Sequence, residues 1–208
     1  MKILAVGAHA DDLELGCGGS LLKWGGEGHD LVLYVATDSA YADPSGRLIR
    51  SAEDAGHEAE MAARKLGARL ERGSFKVFNL AFSAAVNDAM VELFEREKPD
   101  MCLVHWHGDT HPDHRGLFLA AQHASRRCPR LLGYASNWYT GSESFHGGFH
   151  VDISSALEAK VELIAMHESE NRRTRGVWEQ HVRELAHICG RSCGTAAAES
   201  FIAYRYLA

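Results

Sequence analysis

Residues 2–19 read KILAVGAHADDLELGCGG, and the parsing of this stretch decides the fold. The run KILAVGA (2–8) is almost wholly apolar, as in a strand covered on both faces. It gives way at once to His9, Asp11, Asp12 and Glu14, then to three glycines within residues 16–19. Leu15 to Gly28 carries Leu21, Leu22 and Trp24 at roughly helical spacing, and DLVLYVAT (30–37) reads as a second buried strand. Strand, helix and strand in this order make one crossover unit of a parallel sheet.

The alternation continues along the chain. RSAEDAGHEAEMAARKLGA (50–68) predicts a helix stopped by its LG pair, and FKVFNL (75–80) a third strand. A helix over 85–98 ends at Pro99, MCLVHW (101–106) is a fourth strand, and a helix runs from Pro112 to about Arg127. RLLGYA (130–135) and FHVDIS (149–154) are further strands around an aromatic, Gly-rich loop at 136–148. Helices are expected over 155–167 and through the charged segment to about Ile188. The fold class is therefore α/β: a Rossmann-like, mostly parallel sheet flanked by helices on both faces. With no repeat, linker or low-complexity tract, residues 1–208 are expected to form a single domain.

Composition narrows the function. Hydrophobic residues make up 46% of the chain, enough for a sizeable core, and the formal net charge is −6. Without a dense Lys/Arg block, nucleic acid is not an expected partner, because phosphate neutralisation supplies most of that affinity. The paired arginines at 126–127 and 172–173 read as solvated helix faces. Five cysteines without a disulfide spacing are expected to be reduced thiols of a cytoplasmic protein. The N-terminal apolar run is too short for a signal peptide, and no stretch predicts membrane insertion.

Chemistry concentrates in two places. The first is His9, Asp11, Asp12 and Glu14; the second is HWHGDTHPDHRG (105–116), with four histidines in ten residues. Both follow a predicted strand, so both are expected at the carboxyl edge of the sheet, where ligands of such folds bind. Imidazoles with carboxylates suit zinc or another divalent first-row metal. The glycines are expected to let the backbone pass close to this loop and its neighbouring strand. They do not form a GxGxxG dinucleotide fingerprint.

AHADDLELGCGG followed by HPDH resembles the PIG-L/LmbE-like family of metal-dependent N-acetylglucosaminyl deacetylases, whose first motif usually reads AHPDDxE; Ala10 replaces its proline. EAEMAARKLGA resembles the family's E-x-x-x-A-A-x-x-LG helix, anchored on Glu58, with Ala55 where an arginine often stands. FHVDIS, KVELIAMHES and AAAESF resemble its C-terminal third, so the likeness covers nearly the whole chain. The resemblance implies His9, Asp12 and His114 as metal ligands, with Asp11 as the base that deprotonates water. It implies a protonated His111, oriented by Asp113, at the oxyanion. The cofactor it implies is Zn2+, with Fe2+ or another divalent metal left open. The implied substrate is a small-molecule N-acetylated sugar or sugar conjugate.

The remaining polar residues have plainer readings. Glu14 is structural or supports the ligands from behind, Asp109 holds its loop, and His105 and His107 pack at the rim or core; His167 and Glu168, at a helix end, pack, with an approach to the site from its far side as the alternative. Arg47 and Arg50, after the second strand, and Trp138 and Tyr139, in the aromatic loop, are candidate substrate contacts. The alternatives are an amidase on another N-acyl or thiol-conjugate amide, and a non-catalytic nucleotide-binding or assembly protein. A homo-oligomer stays open.

Overall fold

The computed structural model describes residues 1–139 and 141–208. Its strands are β1 (Lys2–Gly7), β2 (Asp30–Thr37), β3 (Tyr41–Ala42), β4 (Leu48–Arg50), β5 (Arg69–Phe75), β6 (Met101–His105), β7 (Arg130–Tyr134), β8 (Phe149–Asp152) and β9 (Ala198–Tyr206). Its helices are α1 (Asp12–Gly26), α2 (Ala52–Leu66), α3 (Ala84–Glu97), α4 (Pro112–Ala124), α5 (Leu157–Ala165), α6 (Glu168–Thr174) and α7 (Val177–Cys193). Seven strands form one sheet in the order β5-β2-β1-β6-β7-β9-β8, while β3 and β4 make a small separate hairpin. The pairs from β5 through β7 are parallel, and β9 runs antiparallel to both its neighbours.

Alternation along the buried strands builds two cores. Ile3 and Ala5 of β1 pack beneath α1, α2 and α5 with Leu13, Cys17 and Leu163. Leu4 and Val6 face the other way, onto Met90 and Leu93 of α3 and Leu117 and Ala121 of α4. The mostly parallel sheet flanked on both faces is thus the architecture anticipated. All five cysteines are free, and among the described residues no helix is long and apolar enough to cross a membrane.

Several elements differ from the sequence-based expectation. The third strand of the main sheet is Arg69–Phe75, not 75–80. As the edge strand it pairs only with β2 and spells RLERGSF, so it lacks the apolar run of an interior strand. Residues 76–80 instead form a turn beside α4, with Phe78 at φ 66°. Strand β9 and the β3–β4 hairpin were not anticipated, and the segment expected as one late helix is two, α6 and α7, separated by Arg175 and Gly176 in left-handed conformations.

The glycine run lies inside α1 rather than in a loop. A Cβ on Gly16 would sit 2.1 Å from Cδ2 of Tyr134, and one on Gly19 would sit 2.7 Å from Cδ1 of Ile153. The glycines therefore let α1 settle against its neighbours, at the helix-propensity cost that glycine carries. Beside them a buried ion pair pins the helix. Glu199 accepts from the N–H groups of Gly19 (2.9 Å) and Ser20 (2.7 Å). Lys160 binds Glu199 and donates to the Leu15 carbonyl at 2.8 Å. Tyr134 is fully buried and its hydroxyl donates to the Val6 carbonyl at 2.8 Å, so its ring has no room to retreat. Gly16→Ala is expected to lower stability by about 1–3 kcal/mol through overpacking, a loss that urea denaturation would measure.

Candidate active site

The chain reverses its direction of sheet growth at β1: β2 lies on one side of it and β6 on the other. The loops leaving adjacent parallel strands on opposite sides of such a point diverge, and their crevice receives a ligand. Here the loop after β1 carries His9 to Asp11 and opens α1 with Asp12, while the loop after β6 carries His107 to His111 and opens α4 with Pro112. Two clusters about a hundred residues apart in sequence therefore meet at one edge.

Three donors converge. Nδ1 of His9 is 3.2 Å from Nε2 of His114 and 3.3 Å from Oδ2 of Asp12, and Nε2 of His114 is 3.3 Å from Oδ1 of Asp12. The far nitrogen of each imidazole faces a carboxylate: His9 Nε2 lies 3.1 Å from Asp113 Oδ2, and His114 Nδ1 lies 3.0 Å from Asp109 Oδ2. That arrangement fixes the rings and leaves the near nitrogens aimed at a common point. Asp12 is held in turn by the His9 N–H (2.7 Å) and the Ser136 hydroxyl (2.9 Å). His105 and His111 also approach: His9, His111 and His114 bring ring nitrogens within 4.8 Å of one another, as do Asp12, His105 and His114 with a carboxylate oxygen. Nε2 of His105, however, sits 3.1 Å from the Ala8 N–H, and its fully buried ring stacks on His114 at 3.7 Å. It backs His114 from within the core.

The electrostatics fit a place built for positive charge. Burial opposes protonation of His9, yet hydrogen bonds to Asp113 and Asp12 raise it to about 10. Burial pushes Asp12 up, but the neighbouring His114 and His105 outweigh that and hold its carboxyl well below the usual range. His111 is lowered to about 4, first by burial and then by the charges of His114 and His9. Those neighbouring charges disfavour the imidazolium expected from sequence at His111. Its Nδ1 accepts from the Asp113 N–H at 3.2 Å, which places the ring proton on Nε2.

Asp113 also departs from its expected partner. Its carboxylate accepts from the N–H groups of Phe78 (2.7 Å) and Leu80 (3.0 Å) and faces His9; only its backbone reaches His111. Asp11 lies just outside the three converging donors. Its Oδ2 accepts from Arg50 at 2.7 Å, and burial raises its carboxyl while Arg50 opposes the shift.

The cleft around these residues has a volume of about 340 Å3. Trp138, Tyr139 and Arg50 line it. Arg50 is only 2% exposed, however, with Nη2 donating to Glu58 at 2.7 Å and to the Ala10 carbonyl at 2.8 Å. Arg47 lies on a different groove, bonded to Asp43 across the hairpin turn. Glu14 is buried 3.3 Å from His167, whose other nitrogen meets Arg50. Arg115 donates to the carbonyls of Asp109 and Thr110, and exposed His107 bonds to Tyr204.

Sequence reasoning missed Ser39, Tyr41, Asn137, Glu170 and Arg173 on the cleft wall. Arg173 is not on a freely solvated face: it donates to buried Glu170 at 2.7 Å, and Glu170 also takes the Tyr41 hydroxyl. The signal available was Glu170 three residues after His167, one helical turn apart. Arg50 joins the hairpin, the Asp11 loop and α2 through two buried carboxylates. Removing it leaves the buried Asp11 without its cation, while Glu58 keeps the Ser169 N–H and hydroxyl, so Arg50→Met is expected to cost about 3 kcal/mol of stability, measured by chemical denaturation.

Comparison with known proteins agrees with this geometry. The family model described as PIG-L, GlcNAc-PI de-N-acetylase, matches residues 4–125. The chain is 26% identical to diacetylchitobiose deacetylase of Thermococcus kodakarensis over 95% of its own length and 81% of that protein's. N,N'-diacetylchitobiose deacetylase from Pyrococcus horikoshii superposes with a TM-score of 0.79 at 24% identity, covering 97% of this chain and 83% of that one. A 4-carboxy-2-hydroxymuconate hydratase from Pseudomonas putida KT2440 also gives 0.79, at 17% identity over 100% and 97%. A deacetylase and a hydratase thus share the backbone equally well, and the reaction must be argued from side chains. On the family match across more than half its length, the chain belongs to the PIG-L family of de-N-acetylases.

Proposed function

We propose that this protein is a metal-dependent hydrolase that removes the N-acetyl group from an N-acetylated amino sugar or sugar conjugate. The observation carrying the reading is the convergence of His9 Nδ1, Asp12 and His114 Nε2 at spacings of 3.2–3.3 Å. Donors about 2.0–2.1 Å from a tetrahedral ion are about 3.3–3.4 Å apart along its edges, close to the 3.2 Å between the two imidazole nitrogens, while Asp12 offers a different oxygen to each. Two imidazoles and a carboxylate are also the donor set of catalytic zinc sites, which keep a position open. Bound there, a divalent ion would supply Lewis acidity, polarising an amide carbonyl and making water nucleophilic at neutral pH.

The chain's own residues supply the proton chemistry. Among the described residues, Arg50 occupies only Oδ2 of Asp11, which leaves the other oxygen to take a proton from the attacking water. Burial, which raises the Asp11 carboxyl, makes it a stronger base than an exposed aspartate. His111, whose Nδ1 accepts from the Asp113 N–H, donates its Nε2 proton as a hydrogen bond to the oxygen of the tetrahedral intermediate. The proton collected by Asp11 then passes to the departing nitrogen as the C–N bond breaks. Water and an N-acetyl amine become acetate and the free amine.

Family membership and the 26% identity to a diacetylchitobiose deacetylase over nearly the whole chain support an N-acetylated sugar as substrate. The test is metal content by mass spectrometry together with acetate release from N-acetylated sugars. About one ion per chain is expected, with turnover lost to a chelator and restored by zinc. Asp11→Asn is expected to lose at least about 100-fold in kcat while keeping its metal, whereas His114→Ala loses both. Metal held at parental levels by His114→Ala would refute the ligand assignment.

A further inference from the structure

Among the described residues, four other than glycine adopt positive φ: Ser39, Phe78, Lys98 and Arg175. Lys98 and Arg175 terminate α3 and α6, where a left-handed residue is ordinary. Ser39 is buried, and its hydroxyl accepts from the Ala10 N–H at 3.0 Å. Phe78 has neither excuse. It is a bulky residue at φ 66° whose side chain is 67% exposed, so core packing does not explain why phenylalanine stands there.

Its surroundings suggest what does. The Phe78 N–H is fixed to Asp113 Oδ2 at 2.7 Å, the same oxygen that faces His9. The ring lies nearly parallel to His111, with 5.2 Å between centroids and 18° between planes, and it lines the same cleft as Trp138 and Tyr139. A strained backbone locked by a site carboxylate thus holds an aromatic face at the lip of the site. Strain retained at such a place is a pointer to function.

Building on the deacetylase reading, we propose that Phe78 is a specificity-determining residue that stacks against the apolar face of the substrate's pyranose ring. The phenyl ring stacks on His111, stays two-thirds exposed and lines the cleft, so part of its surface is available to a ligand there. A sugar whose acetamide oxygen meets His111 Nε2 would lay its ring carbons beside that surface. Carbon-bound hydrogens on a flat aromatic surface bury apolar area without needing hydrogen-bond partners. The contact would discriminate cyclic sugars from acyclic N-acetyl amines that present the same amide.

The test compares wild type, Phe78→Ala and Phe78→Trp on N-acetylglucosamine and on acyclic N-acetylethanolamine. The alanine variant is expected to raise KM for the sugar about tenfold with kcat within about twofold, leave the acyclic substrate unchanged, and be rescued by tryptophan. Because the ring is exposed, Tm should stay within about 2 °C of wild type. An equal fall in kcat on both substrates would show Phe78 acting through His111, and an unchanged KM would show no contact; either overturns the proposal. If wild type releases acetate from neither compound, the deacetylase reading fails instead. The Phe78 question is then answered by calorimetric binding of N-acetylglucosamine: about fivefold or more weakening in the alanine variant supports the contact, and equal affinities or no detectable binding by wild type overturn it.

Discussion

Two imidazole nitrogens 3.2 Å apart, with the Asp12 carboxylate 3.3 Å from each, crowd one edge of a buried sheet, and polar groups packed this closely need partners that hold them in place. Much of the surrounding structure serves that need. Asp113 and Asp109 turn the far nitrogens of His9 and His114 outward, Ser136 and the His9 N–H hold Asp12, and His105 closes the site from inside the core. The Asp113 and Asp12 carboxylates that raise the His9 imidazole are part of the same arrangement.

Asp11 shows how neighbouring residues of one type are given different work. Asp12 faces three histidines and is held anionic, whereas Asp11, one residue earlier, is directed to Arg50 and becomes more basic through burial. The Arg50 guanidinium arrives from the small hairpin and is shared with Glu58 of α2. Ala55 stands where an arginine often precedes that glutamate in the resembled family motif. Positive charge reaches Glu58 here from a different element.

Much of this was legible in the chain because it depends on local spacing. Strand-then-loop patterns placed both clusters at the same sheet edge, and residue types alone pointed to a divalent ion. What escaped depends on position within the sheet or on distant partners. The polar sequence of β5 follows from its place at an edge, and β9 carries a mixed pattern while running against its neighbours. Arg173 looked like a solvated charge because Glu170 and Tyr41, which draw it to the cleft, come together only in three dimensions. The orientation of Asp113 was equally hidden, since the Phe78 and Leu80 N–H groups that take its carboxylate come from another loop.

The contact between Gly16 and Tyr134 reaches further than helix packing. The Tyr134 ring leans on His105 with 4.8 Å between centroids, and His105 stacks on His114 at 3.7 Å. A column of three rings therefore connects a bare helix backbone to a candidate ligand, with no compressible gap along it. The missing side chain at residue 16 works as a spacer of zero thickness: it lets the helix backbone meet the first ring of a column that ends at His114. A side chain at that position would need a smaller residue at Tyr134 for the helix to settle at the same depth.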